Sequence, residues 1–384
     1  MLGKRIFYNY YLRILFITFI SFLLFSNCSV LRFRSSPKTL PLTEKETALC
    51  KELKINTEQL SILKAKPLYE FTPKEIDVYL KYLYNTEPDV RKRIVHLARK
   101  NVGQMYQIYL LGEFPFEIYD ADPLYSLDKS DCVVFSEHMY AMGFAHDWQS
   151  FFTLLQRIRY KNGEISTLKR NHYTIADWEM NNSWLVEDIS EELAGEKAMD
   201  IVETTGRKNF FKKWGLGQDL EETSINTKYV PPGAVSEAIG KLQDGDFVNV
   251  IRGFEKGEWC GHVGLITIGD DGTVDFLHST PPKVKEQPIL EYMNRALESN
   301  EKKIEWNKMV DEEKKNLKPE KKWWQFWIKK EEAKKKQGLF YGFKFLRLRK
   351  DALENLKTID GQDAPVVKGP LGLLNKYPAR KLND

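Results

Sequence analysis

The order of elements predicts an α+β fold, with helices first and an antiparallel run of strands after them. Residues 46–104 carry apolar side chains at helical spacing. From about residue 246 the period falls to two, and Gly269-Asp270-Asp271-Gly272 reads as a turn between two strands. A hydrophobic content of 42% in 384 residues is ample for a core and excludes a disordered or collagen-like class.

The first segment reads as a leader. Lys4, Arg5 and Arg13 form a positive n-region, and Ile14 to Phe25 is an apolar run of 12 residues. At about 1.5 Å per residue this run is too short for a bilayer core of about 30 Å but suits a signal h-region. Cys28 follows at once in Ser26-Asn27-Cys28, which resembles the lipobox of bacterial lipoproteins, whose cysteine takes a diacylglycerol and becomes the new N-terminus. Phe25 and Asn27 depart from the commonest lipobox. An uncleaved anchor helix and an ordinary signal peptide are the alternatives. Residues 1–27 are thus expected to be a lipoprotein signal peptide and Cys28 the lipidation site, which implies a lipid-anchored protein of the cell envelope, periplasmic or on the outer membrane. Cleavage would remove three positive charges from a net +4 and leave +1, so no basic surplus argues for nucleic acid as partner.

Residues 28–45, with two prolines and no period, read as a tether. Residues 46–87 form an N-terminal helical segment in which Ile76, Val78, Tyr79, Leu80, Tyr82 and Leu83 recur at helical spacing. A further helix, with Val90, Ile94, Val95 and Leu97, opens the main domain, expected over 88–350. Residues 105–131 are irregular and aromatic. Ser130-Asp131 offers N-cap chemistry, and Cys132 opens a helix expected to be amphipathic, with Cys132, Phe135, Met139, Tyr140 and Gly143 on one face. Asp147 caps a second helix, Trp148 to Arg159. Strands are expected over Asp246–Ile251, His262–Ile268 and Val274–His278, with a last one from Gly338 to Leu348 and a tail over 351–384. Residues 301–336 hold 13 lysines against 8 acidic residues, with Trp323-Trp324-Gln325-Phe326-Trp327 embedded. This insertion reads as a solvated helical hairpin, an aromatic contact with a membrane interface, or a partner site.

Four cysteines occur, Cys28, Cys50, Cys132 and Cys260, without CxxC or zinc-ligand spacing. HExxH is absent as well, so no metal or other cofactor is expected. Cys50 and Cys260 are either a disulfide, which an envelope compartment permits, or two unrelated thiols. Cys132 is the cysteine in an activating position. A thiol nucleophile needs a lowered pKa, a base and donors for an oxyanion, and a helix N-terminus is expected to supply the first and part of the third. His262 starts one expected strand and His278 ends the next. A turn of three or five residues around Asp270 is expected to set them directly opposite one another. A turn of two or four places them on opposite faces unless a bulge intervenes. Each residue alone also fits an ordinary core or strand position.

Asp131-Cys132-Val133-Val134-Phe135, followed by Gly261-His262-Val263-Gly264 and Leu277-His278-Ser279, resembles the NlpC-type branch of papain-like cysteine peptidases. Arg170-Asn171-His172-Tyr173, with Asp177-Trp178 and Asn181-Asn182, sharpens the resemblance to the N-acetylmuramoyl-L-alanine amidase-like family. Asp244-Gly245-Asp246, Lys283-Val284 and Tyr341-Gly342-Phe343 extend it over roughly 88–350. The resemblance implies a papain-like (NlpC-type) α+β domain, with N-terminal helices packed on an antiparallel sheet or small barrel, that hydrolyses an amide bond in peptidoglycan or muropeptides. In it Cys132 is the nucleophile, His262 the base and His278 the orienting residue. Arg170, Asn171, Tyr173, Asp177 and Trp178 line or support the substrate cleft. Gly261 stands where relatives commonly carry Ser. The alternatives are a non-catalytic envelope lipoprotein that binds murein or another partner through the same cleft, and an acyltransferase on the same scaffold. Arg170 also fits a plain surface residue in a loop.

Overall fold

The structure, a computed structural model, describes residues 37–217, 219–254, 257–316, 334–369 and 372–373. Packing separates Met1–Thr39 from Leu40–Asp384, and the fold below is that of the second unit. The expected leader 1–27, Cys28 and the Trp323–Trp327 cluster lie outside the described residues, as do the first half of the 28–45 tether and the end of the 351–384 tail.

Four helices come first: α1 (Glu44–Leu53), α2 (Thr57–Ala65), α3 (Pro73–Thr86) and α4 (Val90–Lys100). Next come α5 (Cys132–Phe144) and α6 (Trp148–Arg159), capped as expected by Asp131 and Asp147, whose carboxylates accept the backbone N–H groups of Val134 and Ser150. The amphipathic expectation for α5 does not hold, because every residue from Val134 to Phe144 is buried. α4 and α6 flank it, and the sheet lies against it. At Gly143 a Cβ would fall 2.2 Å from Ile94 Cγ1, so the α4–α5 contact needs glycine there. A helix enclosed on all sides has no polar face to present.

The strands are β1 (Val186–Asp188), β2 (Met199–Thr204), β3 (Ser224–Tyr229), β4 (Phe247–Phe254), β5 (Gly257–Ile268), β6 (Val274–His278) and β7 (Lys285–Pro288). They are followed by helix α7 (Ile289–Asn316), strand β8 (Leu339–Leu348) and helix α8 (Ala352–Asp360). Six of the strands form one antiparallel sheet in the order β1-β8-β4-β5-β6-β7. β2 and β3 form a separate ribbon that the sequence reading missed. Side chains alternate between two cores, as the pleat requires. Phe247, Val263, Leu265 and Leu277 join the helical core that includes α5. Val248, Val250, Ile266 and Phe276 pack with Phe343, Phe345, Ile289 and Met293 on the other face, under α7. The mixed α+β class is therefore as expected.

The described part of the 301–336 insertion continues α7, a helix that begins at Ile289, so its first half is no independent element. Among the described residues no helix is long and apolar enough to cross a membrane. Cys50 and Cys260 are both free thiols, so the second reading of them holds.

Buried charge makes the fold sensitive to acid. Burial pushes His138, His172 and His262 down to about 3 and His278 to about 2, so all four are neutral in the fold. The unfolded chain gains a proton at each below its ordinary value of 6.5. That contribution to stability is whole above pH 6.5 and is lost as pH falls toward 3. Glu137 and Glu179, raised by burial to about 7, act in the opposite sense between pH 4.5 and 7. The four histidines outnumber the two glutamates, and His96, lowered as well by burial, adds to them, so stability falls as pH drops through this range. The thermal midpoint is expected to fall between pH 6.5 and 4.5. A flat profile there would contradict these assignments.

Candidate active site

Cys132 is the first residue of α5, and Asp131 turns the chain into the helix. Two residues before Cys132, the buried Ser130 hydroxyl bonds Gln104 Oε1 at 2.7 Å and Ser279 Oγ at 3.0 Å. Ser279 in turn donates to the Ser130 carbonyl at 2.9 Å. Ser279 directly follows His278. This latch therefore ties the approach to Cys132 to the end of the histidine hairpin, and the sequence reading did not see it.

The hairpin register differs from expectation. Ile268 pairs with Val274 and Leu265 with Leu277, so the loop has five residues and His278 falls opposite Gly264, diagonal to His262 rather than directly across. The two are still on one face, and His262 Nε2 lies 2.6 Å from His278 Nδ1. Gly264 permits the diagonal approach. A Cβ there would sit 2.7 Å from His278 Cβ and 2.6 Å from the Phe276 ring. The His278 ring stacks on Phe276 with 4.3 Å between centroids and meets Tyr292 of α7 edge-on. On the other side of β5, Gly261 is the extra residue of a bulge. Val250 pairs with His262 and Ile251 with Cys260. The bulge turns Cys260 toward Asn249, whose Oδ1 accepts from its thiol at 3.2 Å.

Beyond His278 the chain of contacts continues through two residues the sequence reading also missed. Gln287 Nε2 lies 2.6 Å from His278 Nε2, and Arg295 donates to Gln287 Oε1. A guanidinium only donates, so the Gln287 carbonyl must face Arg295 and its amide N–H must face His278. His278 Nε2 therefore accepts. Its own proton lies on Nδ1 and is donated to His262 Nε2, which leaves the proton of neutral His262 on Nδ1.

The expectation of a lowered thiol pKa is overturned. Burial, with the neighbouring Asp131 carboxylate, pushes Cys132 up to about 12. The backbone N–H groups of Val263, Val133 and Cys132 itself favour the thiolate but do not outweigh burial. α5 packs on the face of the sheet opposite α7, and the thiol arrives beside Val263, the residue after His262. Among the hydrogen bonds of the described residues none joins Cys132 Sγ to either imidazole. The resting arrangement is thus a neutral thiol with the backbone N–H groups of Val263, Val133 and Cys132 directed at the sulfur, and a neutral histidine pair that begins at the residue before Val263.

Alkylation of Cys132 by iodoacetamide is expected to keep rising with pH above 8 rather than to level off near 6. Gln287→Glu offers only acceptors. It should place the His278 proton on Nε2, let His262 donate from Nε2, and free His262 Nδ1 as a basic nitrogen. Alkylation at pH 7 should then be several-fold faster, and an unchanged rate would contradict the tautomer assignment.

The 170–178 stretch is built into the body of the fold. Arg170 contacts Glu113 and Asp120 at 2.7 Å each and donates to the Leu111 carbonyl. Asn171 is buried and donates to the Ile158 carbonyl. Tyr173 Oη accepts the Gly206 N–H. Asp177 pairs with Arg207 at 2.7 Å. Trp178, fully buried, stacks on Phe247 and donates to Glu137. These contacts tie all five residues to other parts of the fold. Thr174–Glu179 adopts a π-helical turn that the sequence pattern did not indicate.

A cysteine at the start of a helix packed on an antiparallel sheet that carries a histidine pair is the arrangement the resemblance implied, and the class itself is amidase-like. The pattern of the N-acetylmuramoyl-L-alanine amidase-like family matches residues 96–298, and the chain belongs to that family. Among solved structures, a protein of Legionella pneumophila str. Philadelphia 1 from family DUF1460 has a TM-score of 0.55 at 19% identity over 72% of this chain and 94% of its own. That likeness is one of fold. An N-acetylmuramoyl-L-alanine amidase from Bacteroides uniformis has a TM-score of 0.43 at 18% identity, covering 68% of this chain and 99% of that one. No curated protein matches.

Proposed function

We propose that this chain is a papain-like cysteine amidase that hydrolyses an amide bond in peptidoglycan or its fragments. Family membership supports hydrolase chemistry at the level of the class. The single observation that supports the finer reading is that the Cys132 thiol lies against the backbone N–H of Val263, the residue that directly follows His262, itself paired with His278.

In this reading substrate binding lets the histidine pair exchange tautomers. The Gln287 side chain shifts so that its carbonyl, which has two lone pairs, accepts from both Arg295 and His278, and His262 Nδ1 becomes the lone-pair nitrogen. The thiol proton passes to His262 as sulfur attacks the substrate carbonyl, and the C–S bond forms. Backbone N–H groups at the start of α5 hold the resulting oxyanion. The C–N bond then breaks as His262 returns the proton to the leaving amine. A water, deprotonated by His262, hydrolyses the thioester and restores the thiol. The residues from Arg170 to Trp178 keep the cleft wall in place. Lipidation at Cys28 and residence in the cell envelope belong to the same proposal and rest on the N-terminal sequence.

One observation favours a second reading, a non-catalytic murein- or partner-binding lipoprotein. The resting thiol is neutral and not hydrogen-bonded to histidine. Incubation of the full chain with defined muropeptides, read by mass spectrometry, separates the two. New fragments are expected, split at the muramoyl–L-alanine amide or at a γ-D-glutamyl bond. Unchanged muropeptides would favour the binding module.

A further inference from the structure

Lys344 of β8 stands where the pattern calls for an apolar side chain. Its neighbours Phe343 and Phe345 join the core under α7, and Leu346 and Leu348, on the same strand face as Lys344, join the helical core. The Lys344 side chain is itself 0% exposed. A lysine is almost never fully buried without partners. Here Nζ lies 3.1 Å from Glu179 Oε1, donates to Thr227 Oγ1 at 2.9 Å and contacts Asp188 Oδ2. Asp188 of β1 pairs with Leu346, so Lys344 reaches it diagonally from the adjacent strand.

The surroundings are arranged for more than an ion pair. Asp188 Oδ1 accepts the Ser190 N–H at 2.9 Å, while Oδ2 accepts the Thr227 hydroxyl at 2.9 Å. Glu179 turns one oxygen to Nζ, and the other, Oε2, is buried without a hydrogen-bond partner. Burial, opposed by Lys344, raises Glu179 to about 7, so near neutral pH it both takes up and returns a proton. An amine against a carboxyl group, an N–H on one carboxyl oxygen and a proton carrier at the amine are the parts that amide formation needs.

We propose that Lys344 and Asp188 join in an intramolecular amide bond, formed by the folded chain with Glu179 as the proton carrier. Burial would raise Asp188, but the Lys344 ammonium and the Ser190 N–H hold it below the ordinary carboxylate range, so the pair starts as ammonium and carboxylate. Low-dielectric surroundings disfavour both charges and reduce the cost of neutralising them together. One ammonium proton passes to Asp188 Oδ2. The amine lone pair attacks Cγ and the N–C bond forms, with the Ser190 N–H holding the charge on Oδ1. Glu179 takes a second proton from Nζ and delivers it to Oδ2. The Cγ–Oδ2 bond breaks, and water leaves past Asp188, whose side chain is 29% exposed. The third proton stays on the amide nitrogen, so nothing is oxidised and no co-reactant is consumed. The bond ties edge strand β1 to β8 and encloses everything from β2 to α7, the histidine hairpin included.

Proteolysis of the full chain, with the peptides read by mass spectrometry, tests this. The wild-type protein is expected to give a branched peptide in which the Lys344 and Asp188 segments are joined less one water. Asp188→Asn should give the same branched peptide, now with ammonia as the leaving group, an outcome that a merely structural ion pair does not produce. Glu179→Gln should reduce the branched peptide to below about a tenth of the wild-type amount. Separate linear peptides from the folded wild-type chain would overturn the proposal whether or not the variants fold. So would a wild-type amount of the bond in the Glu179→Gln protein.

Discussion

Replacing Gly264 with valine is expected to lower amide turnover at least a hundredfold. The hairpin register puts Gly264 opposite His278, and the missing side chain is the space across which His278 reaches His262. A Cβ would come within 2.6 to 2.7 Å of the Phe276 ring, His278 Cβ and the Leu277 carbonyl. One of these is backbone and the other two are packed against α7, so His278 must move off the diagonal. Overpacking of this kind costs about 1–3 kcal/mol of stability. The loss of a positioned general base costs typically 10²–10⁴ in rate, so activity should fall much further than the thermal midpoint. Gly240, which has open space around a Cβ, serves as control, and Gly240→Ala should be neutral. Wild-type turnover in a folded Gly264→Val protein would show that the histidine pair is not needed.

Arg170→Met is expected to destabilise the fold by about 3–5 kcal/mol, because it strands a buried carboxylate. Glu113 is 0% exposed and is shared by Arg170, Tyr160 Oη and Thr167 Oγ1. Arg170 also holds Asp120 across the 112–122 loop, whose strands are tied by the hydrogen bonds from Gly112 N–H to Pro123 O and from Glu113 N–H to Asp120 O. The double variant Arg170→Met with Glu113→Gln should recover much of the loss, since no fully buried charge is left unpaired and Asp120 is partly exposed. Urea midpoints measure both. A normal midpoint with a raised KM would instead show that Arg170 meets the substrate directly.

The legible part of this protein was local. Caps at Asp131 and Asp147 and the period-two runs around His262 and Val274 are short-range signals, and they placed the Cys132 helix and the histidine hairpin in the right elements. What was not legible depends on partners far away in the chain. The α5 sequence carries no sign that three neighbours enclose it. The ribbon strand Met199–Thr204 buries only Ile201 and Glu203, and so shows no run of apolar residues. Ser130 meets Ser279 across 149 residues, and Gln287 becomes relevant only once β7 lies beside β6. The thiol pKa failed for a related reason. A helix N-terminus can be read from sequence, but the burial that outweighs it cannot.

The central claim is that Cys132 carries the substrate acyl group during turnover. Quenching the reaction with a defined muropeptide in acid and measuring the mass of the peptide that contains Cys132 tests it most directly. The expected result is an acyl adduct on Cys132 in the wild-type chain, with neither adduct nor product from a folded Cys132→Ala protein. Product formed by Cys132→Ala at the wild-type rate would contradict the account.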